Sequence, residues 1–159
     1  FKNTLFVLTA DHTNLSEVAE YQTSLGGFRV PIVFFDPSGE MPRGKREGIA
    51  QQIDIMPTVL GYLGYEKPYV AFGCDLFHTP VEETWSVNYL NGIYQYVKGD
   101  YLIQFDGKEL KGVYHFKEDK LLENNLAGQI DCSVWVDELK AIIQSYMTRM
   151  NNNQLVLSD

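Results

Sequence analysis

Cysteine, basic residues and long apolar runs are all scarce in this sequence of 159 residues. Cys74 and Cys132 are too few for a disulfide framework and lack the paired spacing of a zinc site, so two free thiols or a single bridge are the alternatives. Lys and Arg number 13 against 21 Asp and Glu, giving a net charge of −8, which argues against nucleic acid or an anionic membrane surface as a partner. No apolar run approaches the roughly 20 residues of a transmembrane helix.

The sequence does contain enough hydrophobic residues, 45%, for one ordinary domain with its own core. It starts at Phe1 and enters a strand pattern almost at once, without the features of a signal peptide. We therefore expect the chain to be the carboxyl-terminal part of a longer protein.

The stretch Thr4–Thr13 is the most informative part of the chain, because an unbroken apolar run ends there in an acid and an imidazole. Such a run is typical of a strand buried on both faces of a parallel sheet, and ligands bind at the carboxyl ends of these strands. Asp11 and His12 follow each other directly, so their side chains can converge only if the chain leaves extended geometry between Ala10 and Thr13. An oxygen and a nitrogen ligand suit a divalent cation such as Zn²⁺ or Mn²⁺, although a hydrogen-bonded Asp-His pair is the simpler alternative.

This stretch resembles the strand and Asp-His motif found late in the sulfatase and lipoteichoic acid synthase (phosphoglycerol transferase) branch of the alkaline phosphatase superfamily. Three further segments match the family in the same order and extend the resemblance to about Ala127: Phe28–Phe35, Asp54–Gly64, and Val113–Phe116 continuing through Glu123–Ala127. Thr13 stands where many sulfatases carry Gly, which favours the transferase side slightly.

The resemblance implies that Asp11 and His12 bind a divalent metal ion, Mn²⁺, Ca²⁺ or Zn²⁺, in an enzyme that acts on sulfate or phosphate esters. It also implies that the nucleophile, a Thr, Ser or modified Cys, and the remaining metal ligands lie on earlier segments. We therefore expect the 159-residue chain to be inactive by itself and to self-associate through surfaces that the missing amino-terminal half of the catalytic domain would cover. The family resemblance implies an extracytoplasmic or membrane-anchored location for the whole protein.

Four other polar residues are of a type that can occur in such a site. Arg29 could bind an anionic sulfate or phosphate, but a surface ion pair is the alternative. Asp54 is expected to cap a helix rather than bind metal. His78 and His115 are expected to be a loop histidine and a structural histidine, respectively.

The remaining pattern predicts the secondary structure. Strands are expected at residues 4–9 and 30–35, with a loop and a short helical turn between His12 and Arg29, and a helix is expected from Asp54 to Gly64. Turn sequences then separate the strands of an antiparallel meander, and a final helix from Ser133 should cover that meander. The predicted meander strands are Val87–Asn91, Ile93–Lys98, Tyr101–Phe105 and Gly112–Phe116.

The predicted fold class is thus α/β: the edge of an alkaline-phosphatase-like sheet with a helix, followed by a small antiparallel meander covered by a carboxyl-terminal helix. We place residues 1–83 in an incomplete catalytic domain and residues 84–159 in a subdomain. The predicted function is that of a metal-dependent phosphoglycerol transferase or sulfatase, and the alternative is a non-catalytic binding module, which the aromatic meander would also suit.

Overall fold

The computed structural model describes residues 1–14 and 16–157 and confirms the mixed α/β fold class. The first part holds a two-stranded sheet and the second part a four-stranded sheet. The strands are β1 (Phe6–Thr9), β2 (Ile32–Phe35), β3 (Trp85–Leu90), β4 (Ile93–Lys98), β5 (Tyr101–Phe105) and β6 (Leu110–His115). The helices are α1 (Ala19–Gln22), α2 (Ile55–Tyr62) and α3 (Ser133–Asn151), and short 3₁₀ turns lie at Gly26–Phe28, Gln52–Asp54 and Val81–Glu83.

Strands β1 and β2 pair antiparallel, with Phe6 opposite Phe35 and Leu8 opposite Val33. The prediction that each is buried on both faces of a parallel sheet is wrong for this chain, because an apolar run specifies neither the direction of the partner strand nor how many neighbours cover it. The inner face carries Phe34, whose ring meets that of Phe77 at 5.2 Å. On the outer face Leu8, Val33 and Phe35 are 56, 47 and 48% exposed.

Helix α2 begins directly after Asp54, in agreement with the predicted cap position, and Asp54 itself lies in a preceding 3₁₀ turn. The fully buried Asp54 carboxylate accepts hydrogen bonds from the backbone N–H groups of Gln51, at 2.9 Å, and Cys74, at 2.8 Å. It does not cap α2 itself, so the predicted capping bond is wrong, whereas a structural role is supported by these contacts. Burial raises the pKa of this carboxyl group, and the two backbone donors oppose that shift. Gly64, with φ of +65°, ends the helix as predicted.

The meander has the order β3-β4-β5-β6, and each neighbouring pair is antiparallel. Strands β4 and β5 coincide with their predicted ranges, while β3 and β6 each begin two residues earlier than predicted. Asn91 and Gly92, both with positive φ, form the β3-β4 turn that the Asn-Gly sequence predicts. The alternation of side chains along these strands gives the sheet two distinct faces.

One face of the meander packs under α3, as predicted. The buried core there comprises Tyr96, Ile103, Phe105, Val113, Cys132 and Leu139. Lys98 and Tyr96 both bond the carboxylate of Glu138 on the helix, at 2.9 and 2.8 Å. Asp137 and Glu138 lie beyond the first turn of α3, so their predicted placement in that turn is wrong, whereas Arg149 lies in the last turn as predicted.

The other face of the meander is also buried. Leu102 is completely buried and Gln95 is 2% exposed. Gln95 and Gln104 reach across to Ser24, donating to its backbone oxygen at 3.3 Å and to its hydroxyl at 3.0 Å, respectively. The loop between β1 and β2 therefore packs on the meander.

Four smaller points complete the fold. Cys74 and Cys132 are both free thiols, in agreement with the first of the two alternatives. Residues 152–157 contain no strand, and the predicted tail extends to Ser158 and Asp159, which lie outside the described residues. Within the described ranges, no helix combines the length and apolarity needed to cross a bilayer. The division at residues 83 and 84 stays a prediction.

Replacing Leu139 by Ala should destabilise the fold by about 2–5 kcal/mol, because it removes a completely buried side chain between α3 and the meander. Val134→Ala on the same helix is the matched control, since Val134 is 67% exposed and its loss should change stability by less than about 0.5 kcal/mol. Urea unfolding followed by tryptophan fluorescence measures both. Equal effects of the two substitutions would contradict the assigned core.

Candidate functional site

The chain leaves extended geometry immediately after β1, at the point where the sequence predicts a break. Strand β1 ends at Thr9, and residues 11 and 12 form a bend. The side-chain amide of Gln52 donates to the backbone oxygens of Ala10, at 2.6 Å, and Asp11, at 3.3 Å. These bonds satisfy the two carbonyl groups that no strand partner takes, and so fix the bend.

Asp11 and His12 converge at this bend, as predicted. Asp11 Oδ1 accepts a hydrogen bond from the backbone N–H of His12 at 2.9 Å, and His12 Nδ1 lies 2.7 Å from the backbone oxygen of Thr13. The other two polar atoms, Asp11 Oδ2 and His12 Nε2, are 3.5 Å apart. Each side chain is therefore held by one polar atom and presents the other to solvent.

This spacing suits two ligands of one metal ion. Two donors at about 2.1 Å from a tetrahedral zinc ion are about 3.4 Å apart, close to the distance seen here. The bond from Nδ1–H to a backbone oxygen is also the usual partner of a histidine that binds metal through Nε2. The Thr13 oxygen, and then the Asp11 charge, raise the pKa of His12, so metal and proton would compete for the same nitrogen.

Asp11 and His12 are two donors, and a tightly bound metal usually has three or four protein ligands. In the part of the chain that the structure describes, no cluster of three or more His, Cys, Asp or Glu side chains is arranged to hold a metal ion. The side chains of Asp11 and His12 are 87 and 77% exposed. The pair therefore fits a metal centre that other groups complete.

The bend lies at the edge of a cavity of about 540 Å³ between the first part of the chain and the meander. Asp11, His12 and Arg29 all contribute to its lining, so the structure brings the predicted metal and substrate residues to one cavity. Another part of the lining comes from the second face of the meander, including Ser86, Asn88 and Val97. The cavity exists because the β1-β2 loop packs on that face.

Arg29 has a partner of its own. Its guanidinium forms an ion pair with Glu20 and lies 5.5 Å from the centre of the Tyr21 ring. Both partners belong to α1, so the helix orients the guanidinium, and the ion pair is the alternative that the sequence suggested. The Arg29 side chain keeps 49% of its surface exposed, so an anion in the cavity can still reach it.

Asp54 and the other two histidines do not contribute to this cavity. His78 pairs with Asp75 at 2.7 Å, an acidic partner that the sequence reading missed. The ring of His115 meets that of Tyr101 edge-on at 4.9 Å, which agrees with a structural role.

Sequence reasoning also missed residues that line the cavity from the meander side. Gln51 joins this side by bonding the exposed edge of β3: its amide donates to Trp85 O at 3.1 Å and accepts from Val87 N at 3.2 Å. Lys117 and Lys120 follow β6 and line the cavity from the loop beyond it. Their charge is visible in the sequence, but only the packing of the two parts places them in the same cavity as Asp11.

Comparison with known proteins shows similarity to one family and to individual relatives. Residues 1–65 match the Sulfatase family. The chain is 33% identical over 79 residues to the multifunctional alkaline phosphatase superfamily protein PehA of Trinickia caryophylli, a match that covers 46% of this chain and 15% of PehA. It also superposes on a crystal structure of an alkaline phosphatase superfamily protein from Vibrio parahaemolyticus, with a TM-score of 0.79 and 21% identity.

The structural match covers 99% of this chain and 37% of the Vibrio protein, so the chain spans well under half the length of either relative. The likeness to the Vibrio protein extends over both the two-stranded sheet and the meander, and so concerns the fold. The likeness to the Sulfatase family concerns residues 1–65, which include Asp11, His12 and Arg29. The chain is therefore similar in fold to proteins of the alkaline phosphatase superfamily, and its residues 1–65 are similar to the Sulfatase family.

Proposed function

We propose that this chain supplies part of the metal-binding site of an enzyme that cleaves or transfers a sulfate or phosphate ester. The observation that carries the proposal is the 3.5 Å separation of Asp11 Oδ2 and His12 Nε2 at the edge of a cavity that Arg29 also lines. The superfamily likeness supports an enzymatic role, and the sulfatase match over residues 1–65 supports ester chemistry in particular.

The three residues would have separate roles. Asp11 would contribute negative charge and His12 a neutral nitrogen to a divalent ion, and Arg29 would hold an oxygen of the ester group through two parallel N–H donors. Such an ion, when bound, activates a nucleophilic oxygen and neutralises charge on the reacting group. Gln52 would keep the two ligands converged by holding the bend through its bonds to Ala10 and Asp11.

Two reactions fit this proposal, phosphoglycerol transfer and sulfate ester hydrolysis. We favour transfer, because Thr13 replaces the Gly of many sulfatases, and its hydroxyl bonds the backbone oxygen of Gly27 at 2.7 Å. This bond ties the ligand-bearing bend to the segment that leads into Arg29. An extracytoplasmic or membrane-anchored location of the whole protein belongs to the same proposal.

Metal binding by the isolated chain should be weak and should depend on both proposed ligands. Asp11→Ala or His12→Ala should lower the affinity for Mn²⁺ or Zn²⁺ by about tenfold or more, since loss even of an outer-shell partner costs that much. Calorimetric titration at pH 7.5 measures the affinity.

His78→Ala is the matched control for the metal titration. It removes the other described Asp-His pair, His78 with Asp75, which lies outside the cavity. Binding that survives loss of Asp11 and His12 but not of His78 would reject the proposed ligands.

The isolated chain should not turn over sulfate or phosphate esters, because we propose that the nucleophile for covalent catalysis lies outside these residues. Release of 4-nitrophenol from its sulfate, phosphate monoester and phosphate diester, with Mn²⁺, Ca²⁺ or Zn²⁺ present, is the assay. Turnover above the metal-only rate that Asp11→Ala abolishes would show that these residues contain a complete active site.

We also propose that the outer face of the β1-β2 sheet associates with another part of the larger enzyme and, in its absence, with a second copy of the chain. Phe6, Leu8, Val33 and Phe35 share this face by the strand register, and the last three are about half exposed. Leu8→Asp should therefore shift light scattering toward the monomer across a concentration series.

Val134→Asp is the control for this effect, because it adds the same charge at an exposed apolar residue on α3, away from the sheet. If both substitutions reduced self-association equally, the effect would come from net charge and not from this face. A wild-type chain that stays monomeric at millimolar concentration would contradict association through this face.

A further inference from the structure

Two lysines that line the cavity have no role in the proposed metal and ester chemistry. Lys117 and Lys120 both line the cavity and come from the loop after β6, far in sequence from Asp11. Lys120 also lines a second, smaller cleft together with Arg29 and Glu20. These lysines therefore share the larger cavity with the proposed metal ligands, and Lys120 also shares the smaller cleft with Arg29.

The loop that carries the two lysines has a defined backbone. The Asp119 carboxylate accepts hydrogen bonds from the N–H groups of Asn124, at 2.8 Å, and Glu123, at 3.1 Å, and these bonds lower its pKa. The backbone N–H groups of Glu118 and Asp119 both bond the oxygen of His115, at 3.0 and 2.8 Å. Positions 117 and 120 are thus fixed relative to the sheet, although their side chains remain exposed.

The charge balance of the cavity differs from that of the whole chain. Its lining contains three basic side chains, Arg29, Lys117 and Lys120, and two acidic ones, Asp11 and Glu47. The whole protein, by contrast, has a net charge of −8. Lys117 pairs with Asp100 at 2.5 Å, which lowers the pKa of that carboxyl group. Lys120 takes part in no ion pair within residues 1–14 and 16–157, and the acidic residue of the small cleft that it lines, Glu20, is paired with Arg29.

We propose that Lys120, assisted by Lys117, forms a second anion subsite, and that the substrate is an ester that carries another anionic group on its alcohol portion. This inference rests on the proposed function, because that function places the reacting ester at Asp11, His12 and Arg29. The second sulfate, phosphate or carboxylate of the substrate lies against the loop after β6, which carries both lysines. This loop then contributes to the choice of substrate.

The test uses the full 159-residue chain and two non-hydrolysable probes that differ by one charge, propane-1,3-disulfonate and propane-1-sulfonate. ¹H–¹⁵N NMR titrations at constant ionic strength give the dissociation constant of each probe and the residues that respond. The disulfonate should bind more tightly, and Lys120→Gln should weaken it about two- to fivefold while leaving the monosulfonate unchanged, as expected for an exposed charge contact. Lys120→Arg should restore the preference.

Lys67→Gln is the control, because it removes the same charge from an exposed lysine outside the cavity. Equal weakening by Lys120→Gln and Lys67→Gln would overturn the subsite in favour of a general charge effect, and so would equal binding of the two probes. The same titrations on Asp11→Ala without metal separate the two proposals. A disulfonate preference that persists there supports the subsite even if the metal titrations reject Asp11 and His12 as ligands.

Discussion

Burial of both faces of the four-stranded meander is the constraint on which the rest of the structure depends. Helix α3 covers one face, with Leu139 fully buried, and the loop after β1 covers the other, where Leu102 is also fully buried. A sheet buried on both sides must pair its polar side chains, and Gln95 and Gln104 do so with Ser24. These two bonds from side-chain NH2 groups also position the loop that carries Asp11, His12 and Arg29.

The cavity is a consequence of the same packing. The β1-β2 loop touches the meander through Ser24, and Gln51 bonds the free edge of β3, while between these contacts the two parts stay apart and leave about 540 Å³. Its lining includes the Asp-His pair and two lysines, so groups of both signs share the space. A metal ion beside Asp11 would add positive charge to this lining and make the cavity more favourable for an anion.

Local sequence rules worked where the determining contacts are local. The turn residues between the meander strands fixed the ranges of β4 and β5, because Asn-Gly and Lys-Gly-Asp impose a reversal on whatever strands flank them. The convergence of Asp11 and His12 was predicted because adjacent residues cannot share a face of an extended strand. These rules fail for β1 and β2, because an apolar run does not specify the direction of the partner strand. An outer face that includes Leu8 and Phe35 looks the same in the sequence whether or not another element covers it.

The sequence by itself determined the order of the elements, the Asp-His bend at the end of β1 and the resemblance to the superfamily, since each of these depends on residues that lie close together in the chain. Only the tertiary structure decided that β1 and β2 are antiparallel, that Asp54 is tied to Cys74, and that Lys120 lines the same cavity as Asp11. The physical reason is the range of the interactions. Turn geometry and side-chain alternation act over a few residues, whereas the pairing of buried polar groups and the packing of two sheet faces join segments as far apart as Ser24 and Gln104, whose positions no local pattern relates.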